Sequence, residues 1–274
     1  MADLALIRRP FSVQQQTGFS TIAILCFVLL YAPIVTLVIY SFNAGPSIAI
    51  WEGLSWRWYE SAWANEQVKE AATRSLIIAS CASMIATTVA TMAAIATTRT
   101  ARFPGLTVIY AMINQPLMVP EIVTGVALLI FFAMIKIATG YTGLAYLIAA
   151  HTAFCIPFAY LPIRARLEGM DLSLEWAAAD LYASPWMAFR RITLPLLSPG
   201  ILAGAMLAFV ISLDDVVITE LVKSGGQDTL PTYMLGQLRR VVTPEINAIS
   251  TVLLAISIVL VTVFFILNTK RSRE

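Results

Sequence analysis

Four of the sixteen carboxylates in this 274-residue chain fall inside stretches that are otherwise apolar: Glu121, Asp214, Asp215 and Glu220. Two of them stand side by side in LAFVISLDDVVITEL, Leu207 to Leu221. No Lys or Arg is set deep in any such stretch; Arg74 and Lys136 stand only at the ends. A charge at the centre of a bilayer costs about 2.5–3.5 kcal/mol even on the lenient insertion scale. Such acids avoid lipid in three ways. They carry a proton, they pair with another subunit, or they line a wet path that attracts cations, which is the default functional reading. Glu220 is close enough to the end of its run to be an interface residue.

Other chemistries find little support. Consecutive helical residues point about 100° apart, so Asp214 and Asp215 on one helix do not form a dyad sharing a proton. His151 is the only histidine and has no His or Cys partners at ligand spacing, so no metal site is expected. Cys26, Cys81 and Cys155 lie in apolar segments without metal spacing and read as small core residues. No G-x-x-x-x-G-K-[ST] phosphate loop occurs. No catalytic residue is assigned, and the chain is not expected to be an enzyme. If ATP drives it, another chain hydrolyses the ATP. A net charge of +2 is too small for a nucleic-acid footprint.

The elements that position these acids follow from composition. Hydrophobic residues make up 59% and charged residues 12%, against about 25% charged in soluble domains. The chain reads as all-α and polytopic. Six spans are expected near 20–40, 75–97, 106–135, 144–163, 196–222 and 246–268, each near or above the roughly 20 residues a crossing needs. The first is too long for a signal-peptide core and is expected to remain as a span. The third is interrupted: NQPLMVPEIVTGVALL places Pro116 and Pro120 four apart, and each removes a backbone donor. Pro120 suits the first position of a restarted helix, with Glu121 in its first turn, where the dipole favours a carboxylate. Broken helices of this kind recur beside transporter substrate sites. At about 1.5 Å per residue, Asp214 lies roughly 24 Å along its span from Ser198 and Glu121 roughly 22 Å from Leu106.

Of the eighteen Lys and Arg, eleven fall on one side of this topology and seven on the other. That bias favours cytoplasmic termini. Tails are expected at 1–19 and 270–274, flanking a transmembrane domain at 20–269. The outer connection after the first span crowds Trp51, Trp56, Trp58, Tyr59 and Trp63. It suits an interfacial aromatic belt, and also a surface that touches an organic cation. The inner connection, RARLEGMDLSLEWAAADLYASPWMAFRRITLP, reads as short helices with Asp171 or Ser173 as a cap and Pro185 at a break. Such helices either dock into a partner's groove or lie on the inner leaflet.

Within that connection, AAADLYASPWMAFRRITLP resembles the E-A-A loop of bacterial binding-protein-dependent ABC permeases: E-A-A, three residues, G, nine residues, I-x-L-P. Anchoring on Ile192, Leu194 and Pro195 places E-A-A at Trp176, Ala177 and Ala178 and the glycine at Tyr182. Glu175 stands one position before the missing acid. The resemblance extends from YSFNAG at Tyr40 through SLDDVVIT to TPEINAIST, and is to the second permease subunit of spermidine/putrescine transporters. It implies a type I ABC importer permease fold with cytoplasmic coupling helices in segment 171–191. Docking to the ATPase would involve Glu175, Trp176, Ala177, Ala178, Asp180, Tyr182, Ala183, Pro185 and Arg190. Polyamine passage would involve Asp214, Asp215, Glu121, Ser212 and Trp51. Implied partners are a second permease, expected to form a heterodimer, two ATP-binding subunits carrying ATP and Mg, and a periplasmic solute-binding protein. The implied location is the bacterial inner membrane. Cargo of another kind, such as an opine or amino-acid derivative, stays open, as does a passive channel or scaffold without ATPase.

Overall fold

The computed structural model describes residues 18–100, 103–240 and 243–271. Most of the expected N-terminal tail, and residues 272–274 of the C-terminal one, lie outside the described residues. The order is α1 (Phe19–Tyr40), α2 (Arg57–Ala64), α3 (Glu66–Thr98), α4 (Leu106–Met118), α5 (Glu121–Thr139) and α6 (Ala145–Glu168). Then follow α7 (Ser173–Asp180), α8 (Pro185–Ala188), α9 (Leu194–Asp214), α10 (Val217–Val222), α11 (Leu230–Leu238) and α12 (Pro244–Arg271). Among the described residues there is no β-strand, only one isolated bridge between Asn43 and Leu54. Among the described residues six helices are long and apolar enough to cross a membrane.

Helices α3, α6 and α9 form the packed centre. Helix α3 runs 33 residues without Gly or Pro, about 50 Å. Asn65 caps its start by accepting the Gln67 N–H at 3.0 Å. Ala79, Ala82, Ala86, Ala90 and Ala94 make a wholly buried small-residue stripe along it. Hydrocarbon gives helices no hydrophobic reason to associate, so close van der Waals contact through small residues takes that part. Gly204 of α9 does the same against α6: a Cβ there would stand 2.6 Å from the backbone oxygen of Ala159. Where larger side chains enter, they carry partners. Tyr160 is fully buried and its hydroxyl meets Thr97 Oγ1 at 2.9 Å, while Tyr110 of α4 donates to the Thr97 carbonyl at 3.0 Å.

The periphery is looser. Helix α1 has no buried residue and leans on α12. At its end, Asn43 organises the aromatic loop. Its Nδ2 donates to the Ser47 and Ile50 carbonyls, its Oδ1 accepts from Glu52 N–H at 2.9 Å, and its own carbonyl accepts Trp58 Nε1–H at 2.8 Å.

The spans differ from expectation at the fifth. The run is not a single helix from 196 to 222. Its start reaches back to Pro185, because α8 passes through one π turn, Phe189–Thr193, directly into α9. Its end comes at Asp214, where Asp215 turns extended (ψ 132°) before α10 begins. The third span is split as expected, with Val119 extended and Pro120 preceding α5.

Gly204→Ala tests the close α6–α9 approach. Alanine favours the helix by about 1 kcal/mol, but the methyl meets backbone that cannot step aside, and overpacking costs about 1–3 kcal/mol. A lower unfolding temperature in detergent is expected; an unchanged or higher one contradicts the packing described.

Candidate functional site

Two helix breaks meet in this chain. Glu121 is the first residue of α5, just past the Val119–Pro120 interruption. Asp215 sits in the gap between α9 and α10. Helix α5 packs along α10, and Gly125, one turn past Glu121, permits it: a Cβ there would fall 2.6 Å from Leu221. The approach lays the N-terminal part of α5, which Glu121 opens, against α10.

Asp215 is dry. Its side chain is 1% exposed. Its oxygens accept from Ile218 N–H at 3.3 Å, Thr219 N–H at 2.9 Å and the Thr219 hydroxyl at 2.8 Å, so it caps α10. Behind it lies His151 of α6, also buried. His151 Nε2 is 2.9 Å from Thr219 Oγ1 and 3.5 Å from Asp215 Oδ2, and Nδ1 is 2.8 Å from Ser212 Oγ. Ser212, Asp215 and Thr219 thus converge on one imidazole. Of the two aspartates expected along the path, Asp215 has its oxygens taken up by α10. Asp214, by contrast, is exposed as the last residue of α9. The break separates the neighbours' roles, which an unbroken helix would not do.

Glu121 is half-buried. Among the described residues neither it nor Asp214 makes an ion pair. Glu220 does: Lys223 bonds both it and Asp228. Burial works against the Lys223 charge, yet the two carboxylates hold its pKa above the usual lysine value. Glu220 is therefore charge-paired, unlike Glu121 and Asp214. This end of the chain also carries a cavity of about 440 Å³ lined by Glu70, Arg74, Lys223, Arg239 and Arg240 among others. Trp51 stands elsewhere, edge-on to Tyr40 at the end of α1 with ring centroids 5.8 Å apart.

His151 is the residue that sequence reasoning missed. The signal was available: a histidine inside an apolar span needs a polar partner as much as a carboxylate does.

At the opposite end of α9 lie α7 and α8, within the segment 171–191 where coupling is expected. Tyr182 has φ 59°, the left-handed region. Its N–H bonds the Ala179 carbonyl at 2.9 Å and the Ala183 N–H bonds Ala178 at 3.0 Å, which is a Schellman ending for α7. That geometry explains a glycine at this position in the loop pattern, and a tyrosine tolerates it at about 1–2 kcal/mol. The Tyr182 ring is 98% exposed, and Trp176, Leu181 and Trp186 are exposed around it, as are Ala177, Asp180, Pro185 and Arg190. Ala178 is buried and Ala183 half-buried. Ser184 caps α8 with Pro185 at its first position. Glu175 turns inward instead: it accepts the Thr193 hydroxyl at 3.0 Å and stands 3.4 Å from Arg99 Nη2, an ion-pair distance without hydrogen-bond alignment. The acid one place before the pattern's glutamate position thus ties α7 to the ends of α3 and α9.

Six spans, two interrupted helices with unpaired acids and an exposed helical loop define a membrane transport subunit. The family model described as binding-protein-dependent transport system inner membrane component matches residues 86–271, and the chain belongs to that family. It is 38% identical over 257 residues to the putrescine transport system permease protein PotI of Escherichia coli K12, covering 93% of this chain and 89% of that one. It is 37% identical over 246 residues to the spermidine/putrescine transport system permease protein PotC of Haemophilus influenzae, covering 90% and 94%. Among solved structures, a bacterial ABC transporter for alginate import shares the fold (TM-score 0.67, 15% identity, 93% of this chain and 94% of that chain). So does the methionine ABC transporter MetNI (TM-score 0.60, 15% identity, 79% and 96%).

The two aspartates are expected to part company in stability. Asp215→Ala strands the Thr219 donors and costs about 1–3 kcal/mol, whereas Asp214→Asn stays within about 0.5 kcal/mol. Thermal unfolding in detergent reads both; equal shifts would contradict the assignment of Asp215 as the cap.

Proposed function

We propose that this chain is one of two permease subunits of an ATP-driven importer for polyamines, forming half of the translocation path. The observation that carries the reading is a pair of helix breaks on packed elements, Glu121 opening α5 and Asp215 standing before α10, with Asp214 exposed and no ion pair on Glu121 or Asp214 among the described residues. A di- or tri-cation with its water supplies the missing charge as it passes. Glu121 and Asp214 hold an ammonium group transiently, while Asp215 keeps the break in place. The relatives named for putrescine and spermidine support the cargo.

Membership of the family supports the remaining parts of the reading. The apolar, exposed α7–α8 surface docks an ATPase subunit, which carries ATP and Mg and does the hydrolysis. A second permease completes the path, two ATPases sit below it, and a periplasmic solute-binding protein delivers cargo at the α2–α11 end. The membrane is the bacterial inner membrane with both termini cytoplasmic, in line with the Lys and Arg bias.

In the reconstituted complex, Glu121→Gln with Asp214→Asn is expected to lower polyamine uptake at least about tenfold, the factor that about 1.4 kcal/mol of lost attraction gives. Uptake at the unsubstituted rate would exclude the carboxylates from the path. Binding of an opine, and not of putrescine or spermidine, to the cognate solute-binding protein would replace the cargo while leaving the fold. On the inner side, Tyr182→Asp with Trp186→Asp is expected to abolish co-purification of the ATPase; full retention would place docking elsewhere.

A further inference from the structure

His151 is buried beside the proposed path, and nothing in the transport reading yet uses it. The direction of its hydrogen bonds can be worked out. Asp215 only accepts, so the single hydroxyl proton of Thr219 goes to Asp215 Oδ2 at 2.8 Å. The 2.9 Å contact between Thr219 Oγ1 and His151 Nε2 is then made by the imidazole N–H. In the neutral ring Nδ1 is left as an acceptor, and Ser212 donates to it at 2.8 Å. The chain runs Ser212, His151, Thr219, Asp215, every donor pointing toward the carboxylate. It crosses three elements: α9 supplies Ser212, α6 supplies His151, and α10 supplies Thr219. The imidazole is 1% exposed, so no water stands ready to replace a lost partner.

This placement has a mechanical consequence. Helices α9 and α10 are joined only through the turn at Asp215 and Val216. The imidazole bonds the last turn of α9 with one nitrogen and the first turn of α10 with the other. It therefore fixes the angle between the two pieces from the side of α6, the most deeply packed helix beside α3. That angle decides where Asp214, the last residue of α9, points and how α10 lies against α5.

We propose that His151 is a positioning residue of the translocation site, bracing the α9–α10 break so that Asp214 and Glu121 present to the cargo. The inference rests on the cation-path reading given above. It makes Thr219 the second member of the brace. The bonds, not the bulk of the ring, carry the effect, so a side chain that keeps a donor at the Nε2 position retains it.

The test uses the assembled transporter in proteoliposomes, with putrescine as cargo, reading uptake and binding-protein-stimulated ATP hydrolysis together. His151→Phe is expected to lower uptake about tenfold, the scale of a lost buried hydrogen bond, with ATP hydrolysis per complex held within about twofold. The ATP spent per putrescine then rises. A loss of packing alone would lower both rates in proportion to the complex recovered. His151→Gln, which keeps the donor toward Thr219, is expected to recover most of the uptake, and Thr219→Val to reproduce the His151→Phe defect. Should His151→Phe fail to assemble, Thr219→Val carries the test by itself, being of the same size and cutting the same chain. Unchanged ATP spent per putrescine in Thr219→Val, or a His151→Gln defect equal to His151→Phe, overturns the brace. Asp214→Asn is run alongside. If it transports normally, the cation-path reading fails and this inference with it. If it is defective while Thr219→Val is not, only the brace fails.

Discussion

A carboxylate inside a bilayer must be given donors, a proton or a positive charge, and this structure treats the acids of its apolar segments in different ways. Asp215 receives donors: two backbone N–H groups and a hydroxyl hold it, with an imidazole behind. Glu220 receives a resident cation, Lys223. Glu121 and Asp214 have no basic partner among the described residues. An uncompensated arrangement of this kind persists where something mobile completes it. The helix breaks that put it there are themselves costly, since each frees backbone groups that hydrocarbon cannot satisfy.

The same constraint links the two ends of the molecule. From Pro185 to Asp214 the chain is one helical run of 30 residues, about 45 Å long. Its lower end carries the exposed α7–α8 surface proposed to dock the ATPase, and its upper end carries the acids. Glu175 anchors the lower end by bonding Thr193 within the π turn and lying beside Arg99 at the end of α3. Movement imposed on α7 and α8 therefore has a continuous element through which to reach Asp214, and α3 and α6 form the packed body against which it works. In this arrangement the left-handed turn at Tyr182 matters for shape: it ends α7 sharply enough to send the chain back into α8.

Much of this was legible in the sequence because lipid imposes simple rules. Six apolar runs gave the six spans, and Pro116 with Pro120 gave the break that starts α5 at Glu121. The break after Asp214 was not legible. Its sequence, ISLDDVVIT, holds no Pro or Gly, and local propensity permits a helix throughout. What restarts the helix is Asp215 capping α10 through Ile218 and Thr219, and what sits behind that cap is His151, 64 positions away, which no local pattern relates. For the same reason the two aspartates looked equivalent, differing only by about 100° on a helix, while in the structure one is exposed and the other dry. Glu175 was legible as an acid near the loop motif, but its inward turn toward Thr193 depends on how α7 sits beneath α9. The left-handed backbone at Tyr182 was hidden because the usual marker, glycine, is absent there.

The central claim is that Glu121 and Asp214 await a travelling cation, whereas Asp215 serves the fold. A structure of the assembled transporter trapped with a polyamine inside tests it most directly. The account predicts an ammonium nitrogen within about 3.2 Å of a Glu121 or Asp214 oxygen, with Asp215 still capping α10. An arginine or lysine of the second permease bonded to both carboxylates, with the polyamine elsewhere, would contradict it.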